Sequence, residues 1–325
     1  MTLCVWLPCV LQGYMGFQGV LGHEFVGVVE SVNSSGGGDG EESSCSQAWV
    51  GKRVCGDINL PCRKADCAVC SGPDASLARN HCPNRTVLGI LNKHGTYAQY
   101  LTLPVTNLHE LPESAGISDE HACFAEPLAA ACRIVEQRLV PAAGSSGKVC
   151  VLGDGKLGLL ISEVVGRHCS CNGLPKPTLV GRHAENLSLV ETLVNTTQDA
   201  SSAGSFDVVV DATGNPTGLQ TACGMCKPMG TVVLKSTCSP ESIKAAAAAN
   251  PFDGAPIVIN EISVVGSRCG PFPPAIELLS SSNEGGPVNV GNYLTASFPL
   301  SEVEKALELA QTKGTKKVQL VMWPE

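Results

Sequence analysis

The sequence predicts an α/β protein in which a doubly wound parallel sheet is combined with a second, β-rich part. Between residues 149 and 266, short apolar runs typical of buried strands alternate with helical segments. That alternation is the pattern of a parallel sheet covered by helices on both faces. The first third of the chain contains only short strands and loops, and the 35 glycines and 21 prolines favour a turn-rich architecture over a helical bundle.

The composition argues against several classes of protein. The chain has 325 residues, enough for two domains, and a formal net charge of −8, which disfavours a broad basic surface for nucleic acid. No apolar run reaches the ~18 residues that a membrane-spanning helix needs. The 17 cysteines stand in a chain without a convincing export signal, so we expect them to be reduced, with some binding metal. These features predict a cytoplasmic protein, with an organelle as the alternative.

The first part of the chain contains β-like runs at residues 27–32, 53–54 and 96–101. Residues 34–44, rich in Ser and Gly, cannot bury apolar surface, so we expect a solvated loop there. A helix is predicted to begin at Ser118, with two acidic residues in its first turn. We expect it to continue towards Gln137 with a break at Pro127.

The middle and the end of the chain alternate between the two kinds of element. Strands are predicted at residues 149–152, 178–180, 206–211, 230–234, 262–266 and 317–321. Helices are predicted at residues 156–168, 184–194, 216–226, 274–279 and 302–311. This order assigns the parallel sheet to the middle of the chain.

The strongest local signal is a glycine motif directly after the first of these strands. Gly153, Gly155 and Gly158 form a G-x-G-x-x-G set that opens a helix and includes Lys156 and Leu157. We expect Gly153 to allow a tight turn, Gly155 to let a pyrophosphate approach the backbone, and Gly158 to allow close helix–sheet packing. In this context the motif predicts dinucleotide binding, and a merely structural turn is the alternative.

The end of the next strand bears on the choice of dinucleotide. An NAD site usually has an acidic residue there for the ribose 2′-hydroxyl, whereas this chain has Gly181, Arg182 and His183 after Val180. Arg182 would accommodate a 2′-phosphate, which favours NADP. The alternative is a solvated Arg182 beside an NAD site that lacks its acid.

Four cysteines predict a metal site in the first part of the chain. Cys67 and Cys70 form a C-x2-C pair whose thiolates can reach one ion from a tight loop, and Cys62 and Cys82 flank the pair. Four thiolates make a closed tetrahedral zinc site, which is structural because no ligand position stays open. Reduced cysteines without an ion are the alternative.

A second candidate metal site has a weaker local signal. His23 and Glu24 lie in a G-H-E-F-V-G stretch, and Glu126 in A-E-P-L could supply another oxygen. A neutral imidazole nitrogen and a carboxylate oxygen can supply two of the four ligands that zinc usually takes. Most histidines are not ligands, so the alternative is an ordinary buried pair.

The order of these motifs resembles that of the zinc-dependent medium-chain dehydrogenases/reductases. The G-H-E motif, the cysteine lobe, the Glu-Pro pair and the glycine loop follow one another as in that family, from about Gly13 to the end of the chain. The segment Glu126-Pro127-Leu128 is most similar to the polyol and threonine dehydrogenase branches, which oxidise a secondary alcohol to a ketone with NAD or NADP. The cysteine spacing is longer here than the family's C-x2-C-x2-C-x7-C.

The resemblance implies a GroES-like catalytic domain, N-terminally incomplete, that is split around a Rossmann domain, with the parts at residues 1–132, 133–267 and 268–325. It also implies two zinc ions. His23, Glu24 and Glu126 would lie in or beside the catalytic zinc shell, and the four cysteines would form the structural lobe. Arg268 and Lys317 fall where such proteins often contact the cofactor, with solvated charge as their alternative. The family is commonly oligomeric, so a homo-oligomer is expected.

The N-terminus departs from the family pattern, in which a Cys-x-Thr/Ser-Asp stretch supplies a zinc ligand and the hydroxyl that starts the proton relay. Counting back from Gly13, Cys4 takes the place of the cysteine, Trp6 that of the hydroxyl and Leu7 that of the aspartate. Neither Trp6 nor Leu7 can perform those roles. Cys4 is therefore a candidate ligand, with a chance cysteine in an unrelated segment as the alternative.

The sequence thus predicts a zinc-dependent oxidoreductase that uses NADP, with NAD as the alternative, and acts on a small-molecule secondary alcohol or polyol, or on its ketone. His23 and Glu24 are the candidate catalytic residues. A dinucleotide-binding protein without dehydrogenase activity is one alternative, and an incomplete version of an active enzyme is another. Both alternatives follow from the replaced relay hydroxyl.

Overall fold

A computed structural model describes residues 2–4, 16–33, 47–238, 240–249, 252–283 and 285–322. The chain divides into two compact units, Met1–Glu126 with Phe272–Glu325, and Pro127–Pro271. The sequence predicted domain limits after residues 132 and 267, which lie near these borders. That these limits separate functional domains stays a prediction. The predicted loop at residues 34–44 falls outside the described residues.

The first unit is built mainly from short strands. They are β1 (Thr2–Cys4), β2 (Phe25–Val28), β3 (Arg53–Gly56), β4 (Asn59–Leu60), β5 (Thr86–Leu88), β6 (Asn92–Lys93), β7 (Leu108–Glu110), β14 (Leu294–Pro299) and β15 (Lys317–Val321). Six of them form a sheet of order β14-β15-β1-β2-β3-β7, and β4, β5 and β6 form a second sheet. In the larger sheet every neighbouring pair is antiparallel except β14 and β15.

Helices in and at the border of this unit are α1 (Ala75–His81), α2 (Asp119–Ala122), α3 (Ala125–Glu136), α9 (Phe272–Leu279) and α10 (Val303–Gln311). The predicted helix start at Ser118 is confirmed, because its side chain accepts a hydrogen bond from the backbone N–H of His121. Such a cap satisfies one of the first N–H groups of a helix, which have no intrahelical partner.

The second unit is the predicted doubly wound parallel sheet. Its strands are β8 (Val149–Leu152), β9 (Thr178–Val180), β10 (Asn195–Thr197), β11 (Phe206–Asp211), β12 (Cys226–Leu234) and β13 (Ser263–Gly266). They pair in parallel in the order β10-β9-β8-β11-β12-β13. The helices of this unit are α4 (Lys156–Cys171), α5 (Ala184–Leu187), α6 (Gly218–Met225), α7 (Pro240–Ala249) and α8 (Ala255–Ile259).

Apolar packing of helix α6 on this sheet forms one of its hydrophobic clusters. Cys150, Val209 and Val232, from three neighbouring strands, are almost fully buried with Ala222 and Met225 of the helix. The order of the strands reverses between β8 and β11, and in such sheets ligands bind outside the carboxyl ends at this point. The core therefore aligns the glycine motif after β8 with the loops that follow β9 and β11.

Three local predictions were wrong. Residues 96–99 form bends and residues 100–101 have no regular structure, so the predicted strand is absent; the N–H groups of Thr96 and Tyr97 bond instead to the carbonyls of Gly22 and Leu21. The helical break lies between α2 and α3, not at Pro127, which is the third residue of α3. Proline is tolerated in a first turn because its missing N–H would have no acceptor there.

The helix predicted at residues 184–194 is also shorter than expected, since only Ala184–Leu187 is helical. The remainder of that segment forms turns. None of the helices in the described part of the chain combines the length and the apolar character that a bilayer crossing requires.

Candidate functional site

Three side chains predicted as metal ligands lie together in the first unit. His23 and Glu24 directly precede β2, and Glu126 lies in the first turn of α3. A ring nitrogen of His23 and one carboxylate oxygen from each glutamate all lie within 4.8 Å of one another. Ligand atoms that share one zinc ion at about 2.0–2.2 Å lie roughly 3–4 Å apart. The set can therefore close on one ion with small side-chain movements.

The backbone ahead of His23 accepts only glycine. Gly22 has a φ of +89°, and a Cβ at this position would overlap the hydroxyl oxygen of Thr96 and lie 2.5 Å from the Tyr97 ring. Left-handed backbone and close approach are the two conditions under which glycine is required. The Gly-His-Glu order therefore reflects a packing demand as well as a chemical one.

Burial sets the protonation state of His23. The side chain is 8% exposed, and desolvation by burial lowers its pKa below the ordinary value of 6.5, an effect that nearby Glu24 opposes and Lys317 reinforces. Burial disfavours the charged imidazolium. His23 is therefore neutral at neutral pH, which is the form of histidine that binds metal.

An ion pair holds Glu24 beside this cluster. The Lys317 Nζ lies 2.5 Å from Glu24 Oε2, and both side chains are about 95% buried, with exposures of 5% and 4%. The ammonium also donates to the carbonyl oxygen of Cys123 at 2.9 Å and lies 3.9 Å from the centroid of the Phe124 ring. The alternative of a solvated Lys317 is therefore wrong, whereas its contact with a cofactor stays a prediction.

Two further candidate site residues, Arg268 and Cys4, lie outside this cluster of described side chains. Arg268 belongs to the second unit, is partly buried, and accepts a hydrogen bond from Lys235 Nζ at its carbonyl oxygen. Cys4 ends β1, and its backbone lies in register with Gln319 of β15. The Cys4 side chain lies outside the described residues, as do Trp6 and Leu7. Whether the Cys4 thiolate binds metal thus stays a prediction.

The four predicted zinc cysteines converge in space. Their sulfur atoms all lie within 4.8 Å of one another, with Cys62 and Cys70 Sγ at 3.8 Å and Cys67 and Cys82 Sγ at 4.0 Å. Tetrahedral zinc with Zn–S bonds of about 2.3 Å requires sulfurs roughly 3.8 Å apart. The longer spacing of this lobe along the chain therefore does not prevent tetrahedral geometry.

The pKa values of two cysteine thiols in the lobe are also consistent with a bound zinc ion. A backbone hydrogen bond from Lys64 is the main cause that lowers the pKa of Cys62 to about 7, so a thiolate ligand is accessible there at neutral pH. Desolvation raises the pKa of Cys70 to about 12. A bound cation would offset that cost, because a coordinating thiol is deprotonated outright.

Replacing Cys82 with serine tests the lobe. We expect the variant to lose one zinc per chain and at least roughly 3 kcal/mol of unfolding free energy, because metal binding at a structural site is folding energy. Zinc analysis and chemical denaturation measure the two effects. Cys171→Ser, at an exposed thiol in the second unit, should change neither, and a full zinc content in Cys82→Ser would contradict the assignment.

The glycine motif has the backbone that a dinucleotide loop demands. Gly153 has a φ of +109°, and a Cβ on Gly158 would overlap the carbonyl oxygen of Gly153. Gly155 caps α4 and has no atom within 4 Å of an added Cβ, so space is open at the helix N-terminus, where an anion is stabilised. Lys156 and Leu157 are partly buried in the first turn. That these residues bind a dinucleotide stays a prediction.

The loop after β9 contains a feature that sequence reasoning missed. Arg182 is exposed, and the backbone N–H groups of Arg182 and His183 donate to Asp154 Oδ2 at 3.0 and 2.7 Å. Asp154 lies inside the glycine motif and is 5% exposed. The sequence did contain a signal for this contact, because Asp154 is an acidic residue between Gly153 and Gly155 of the motif.

Comparison with known proteins agrees with this geometry. Residues 8–113 match the alcohol dehydrogenase GroES-like domain family. Over 320 residues, 94% of this chain and 82% of the relative, the sequence is 24% identical to D-arabitol-phosphate dehydrogenase of Enterococcus avium.

Two solved structures share the fold over nearly the whole chain. A putative zinc-binding dehydrogenase of Sinorhizobium meliloti 1021 bound to NADP has a TM-score of 0.74 at 21% identity, covering 98% of this chain and 90% of the other. An alcohol dehydrogenase of Escherichia coli CFT073 complexed with NADH has a TM-score of 0.76 at 23% identity, covering 99% and 90%. The predicted combination of GroES-like and Rossmann folds is confirmed.

Proposed function

We propose that the chain is a zinc-dependent medium-chain dehydrogenase/reductase, which oxidises a secondary alcohol or polyol, or reduces the ketone, by hydride transfer to or from NADP. NAD is the alternative dinucleotide. The observation that carries the proposal is the convergence of His23, Glu24 and Glu126 within 4.8 Å. The similarity to an arabitol-phosphate dehydrogenase supports a polyol-type substrate.

The residues at the first cluster suit zinc, because they offer one neutral imidazole nitrogen and carboxylate oxygens. When bound, zinc supplies Lewis acidity that lowers the pKa of an alcohol towards neutrality. His23 and Glu126 would hold the ion, and burial keeps the His23 ring in its neutral form. Lys317 balances the charge of Glu24 through its 2.5 Å ion pair, so the buried cluster carries less net negative charge.

The residues of the second unit suit a dinucleotide. Gly155 leaves open space at the N-terminus of α4, where the helix dipole and free N–H groups favour a pyrophosphate. Arg182 is exposed after β9, and its planar guanidinium matches a 2′-phosphate. The redox step belongs to the cofactor, and these side chains bind and orient it.

A catalytically inactive dinucleotide-binding protein is the second candidate. The observation that favours it is Trp6 at the place of the relay hydroxyl, since an indole cannot accept and pass on a proton. Zinc and dinucleotide content, followed by turnover of a panel of secondary alcohols and polyols with NADP and NAD, separates the two candidates. Zinc-dependent turnover supports the dehydrogenase, and binding of both groups without turnover supports the inactive protein.

Arg182→Ala is expected to raise the Kd for NADP by about 10- to 100-fold, because a charge-assisted contact to phosphate contributes roughly 1.5–3 kcal/mol. The Kd for NAD should stay within about threefold, since NAD lacks that phosphate. Isothermal titration with each dinucleotide measures both. Lys176→Ala, at an exposed cation before β9, should alter neither. Equal affinity of the unmodified protein for NADP and NAD would exclude the NADP preference.

We also propose that the protein forms a homodimer through the edge strand β13. This strand ends the sheet order, and Val264 on it is 38% exposed, beside a helix, α8, whose Val258 and Ile259 are 77% and 78% exposed. Met229 is 72% exposed. Its backbone N–H donates to the carbonyl oxygen of Asn260, the residue after α8, so Met229 lies near this apolar patch. An apolar edge strand is a template for another strand, and two copies related by a two-fold axis can satisfy each other.

Replacing both Val258 and Ile259 with lysine should convert the dimer to a monomer, because two like charges per chain would meet in the interface. Sedimentation equilibrium measures the change. Tyr100→Lys, at a residue 66% exposed in the first unit, should leave the dimer intact. A monomeric unmodified protein at micromolar concentration would refute the proposal.

A further inference from the structure

Asp154 occupies the space that a side chain at position 181 would need. A Cβ added to Gly181 would overlap the Asp154 Cβ and would lie 2.6 Å from its Cγ and 2.8 Å from its Oδ2. The Cβ of Asp154 is fixed by its own backbone, so no rotamer of Asp154 relieves the overlap. A side chain at position 181 and the one at position 154 therefore exclude each other.

Position 181 is the place where an NAD site usually has its acidic residue, directly after the second strand of the Rossmann sheet. Here β9 ends at Val180 and Gly181 follows. The nearby acid is instead Asp154, inside the glycine motif and 5% exposed. The chain thus has a carboxylate in this region, but on the loop that follows β8 and not on the loop that follows β9.

The displaced carboxylate is engaged by the loop itself. Its Oδ2 accepts the backbone N–H groups of Arg182 at 3.0 Å and His183 at 2.7 Å, and the His183 Nδ1 lies 3.0 Å from the same oxygen. Asn186 Nδ2 donates to the Asp154 carbonyl oxygen at 3.0 Å. Hydrogen bonds to an ionised acceptor are the strong ones. They hold the backbone of Arg182 in place while its side chain stays exposed.

We propose that Asp154 is a positioning residue for cofactor choice, which bars an acid from position 181 and holds the 181–183 backbone so that Arg182 meets the 2′-phosphate of NADP. The inference rests on the proposed use of NADP by this chain. It adds that the preference is controlled from within the glycine motif, by a carboxylate that acts through Arg182 and does not itself bind the phosphate.

The competing assignment is that Asp154 itself accepts the ribose 2′-hydroxyl, as the acid of an NAD site does. The bonds from two backbone N–H groups and the His183 ring already engage Oδ2 of this enclosed carboxylate. A carboxylate bound to the ribose would also favour NAD, whereas one that acts through Arg182 favours NADP. The two assignments therefore predict opposite preferences and can be separated by binding alone.

Equilibrium binding of NADP and NAD to the full chain tests the proposal, with the unmodified protein, Asp154→Asn, Arg182→Ala and the double variant. Asp154→Asn keeps the shape but removes the charge, and we expect the Kd for NADP to rise about 10- to 30-fold, with NAD changed less than about threefold. In the Arg182→Ala background, Asp154→Asn should have little further effect, because residues that act as one unit are not additive.

Asp207→Asn is the matched control. Asp207 also accepts a backbone N–H, from Lys148 at 2.7 Å, and pairs with the Lys227 ammonium at 3.0 Å, but it lies near the amino end of β11. Its replacement should leave both dinucleotide affinities unchanged. Equal losses of NADP and NAD in Asp154→Asn, or additive losses in the double variant, would overturn the proposal.

Exchanging the residues at positions 154 and 181 provides a second test. Its result does not depend on whether Asp154→Asn weakens the hydrogen bonds that hold the 181–183 backbone. Gly181→Asp alone should weaken both dinucleotides, because its side chain collides with Asp154. Combined with Asp154→Gly, the same acid gains room, and we expect the NADP-to-NAD affinity ratio to fall at least about 100-fold. An unchanged ratio in the swap variant contradicts the role of Asp154.

The outcomes also separate this inference from the proposed NADP use. If the unmodified protein prefers NAD and Asp154→Asn loses affinity for NAD, then Asp154 is the ribose acceptor and the positioning role is wrong. If the unmodified protein prefers NADP but Asp154→Asn keeps that preference, NADP use stands and the positioning role alone fails.

Discussion

Replacing His23 with alanine is expected to reduce kcat/KM for the alcohol substrate at least about 1,000-fold. Metal Lewis acidity contributes several kcal/mol to such reactions, and each 1.36 kcal/mol corresponds to a factor of ten in rate. His23 offers the only nitrogen in the described cluster of three ligands, so its loss removes the strongest zinc donor. Steady-state kinetics and zinc analysis on the same preparation measure the effect.

The zinc content should fall by one ion per chain in His23→Ala, while the ion of the cysteine lobe stays. His168→Ala, at a partly buried histidine of α4 whose pKa is also lowered by burial, is the matched control and should keep full turnover. Normal turnover in His23→Ala together with a complete zinc content would show that this cluster is not the catalytic centre.

The lowered pKa of His23 also has a consequence for pH. Because the folded protein favours the neutral ring, the contribution of His23 to stability is present above its ordinary pKa of 6.5. It is lost as the pH falls from that value towards the lower pKa of the folded state. In the metal-free protein, His23→Gln should therefore flatten the fall in stability below pH 6.5.

Lys317→Met is expected to destabilise the fold by about 3–5 kcal/mol, the second large effect. Removing one partner of a buried pair leaves an uncompensated charge, here the carboxylate of Glu24, in a medium that solvates it poorly. The side chains of Lys317 and Glu24 are 5% and 4% exposed, so water cannot replace the ammonium. Urea unfolding of the two proteins measures the difference.

Lys52→Met is the matched control. Its ammonium lies at the same 2.5 Å from Glu110 Oε2, but the two side chains are 34% and 44% exposed. Solvated pairs contribute about 0–1 kcal/mol, so we expect a change below ~1 kcal/mol. Adding Glu24→Gln to Lys317→Met should recover part of the lost stability, since it removes the unpaired charge. No recovery would mean that packing, not charge, explains the loss.

Sequence patterns predicted the elements whose causes are local. The alternation of buried runs and helices specified the parallel sheet, and the motif of Gly153, Gly155 and Gly158 marked the turn from β8 into α4. The C-x2-C pair marked the cysteine lobe. In each case the residues that determine the structure lie within one turn, strand or loop, so their spacing along the chain carries the information.

Other features depended on partners far apart in sequence. The predicted strand at 96–101 is absent, and Thr96 and Tyr97 bond instead to the backbone before His23. The pairing of Lys317 with Glu24 joins residues 293 positions apart, and periodicity contains no information about such a contact. The sequence assigned Lys317 to a cofactor from family resemblance and left its burial open.

Local spacing and residue chemistry were therefore sufficient to predict the fold class, the glycine motif and the cysteine lobe. They gave only a weak signal for His23, Glu24 and Glu126, because Glu126 is distant from the other two along the chain. Three findings required the folded chain: the four sulfurs of the lobe come within 4.8 Å, Lys317 is buried against Glu24, and Asp154 fills the space beside Gly181. Burial and close contact arise when separate segments pack, and packing is a property of the folded chain as a whole.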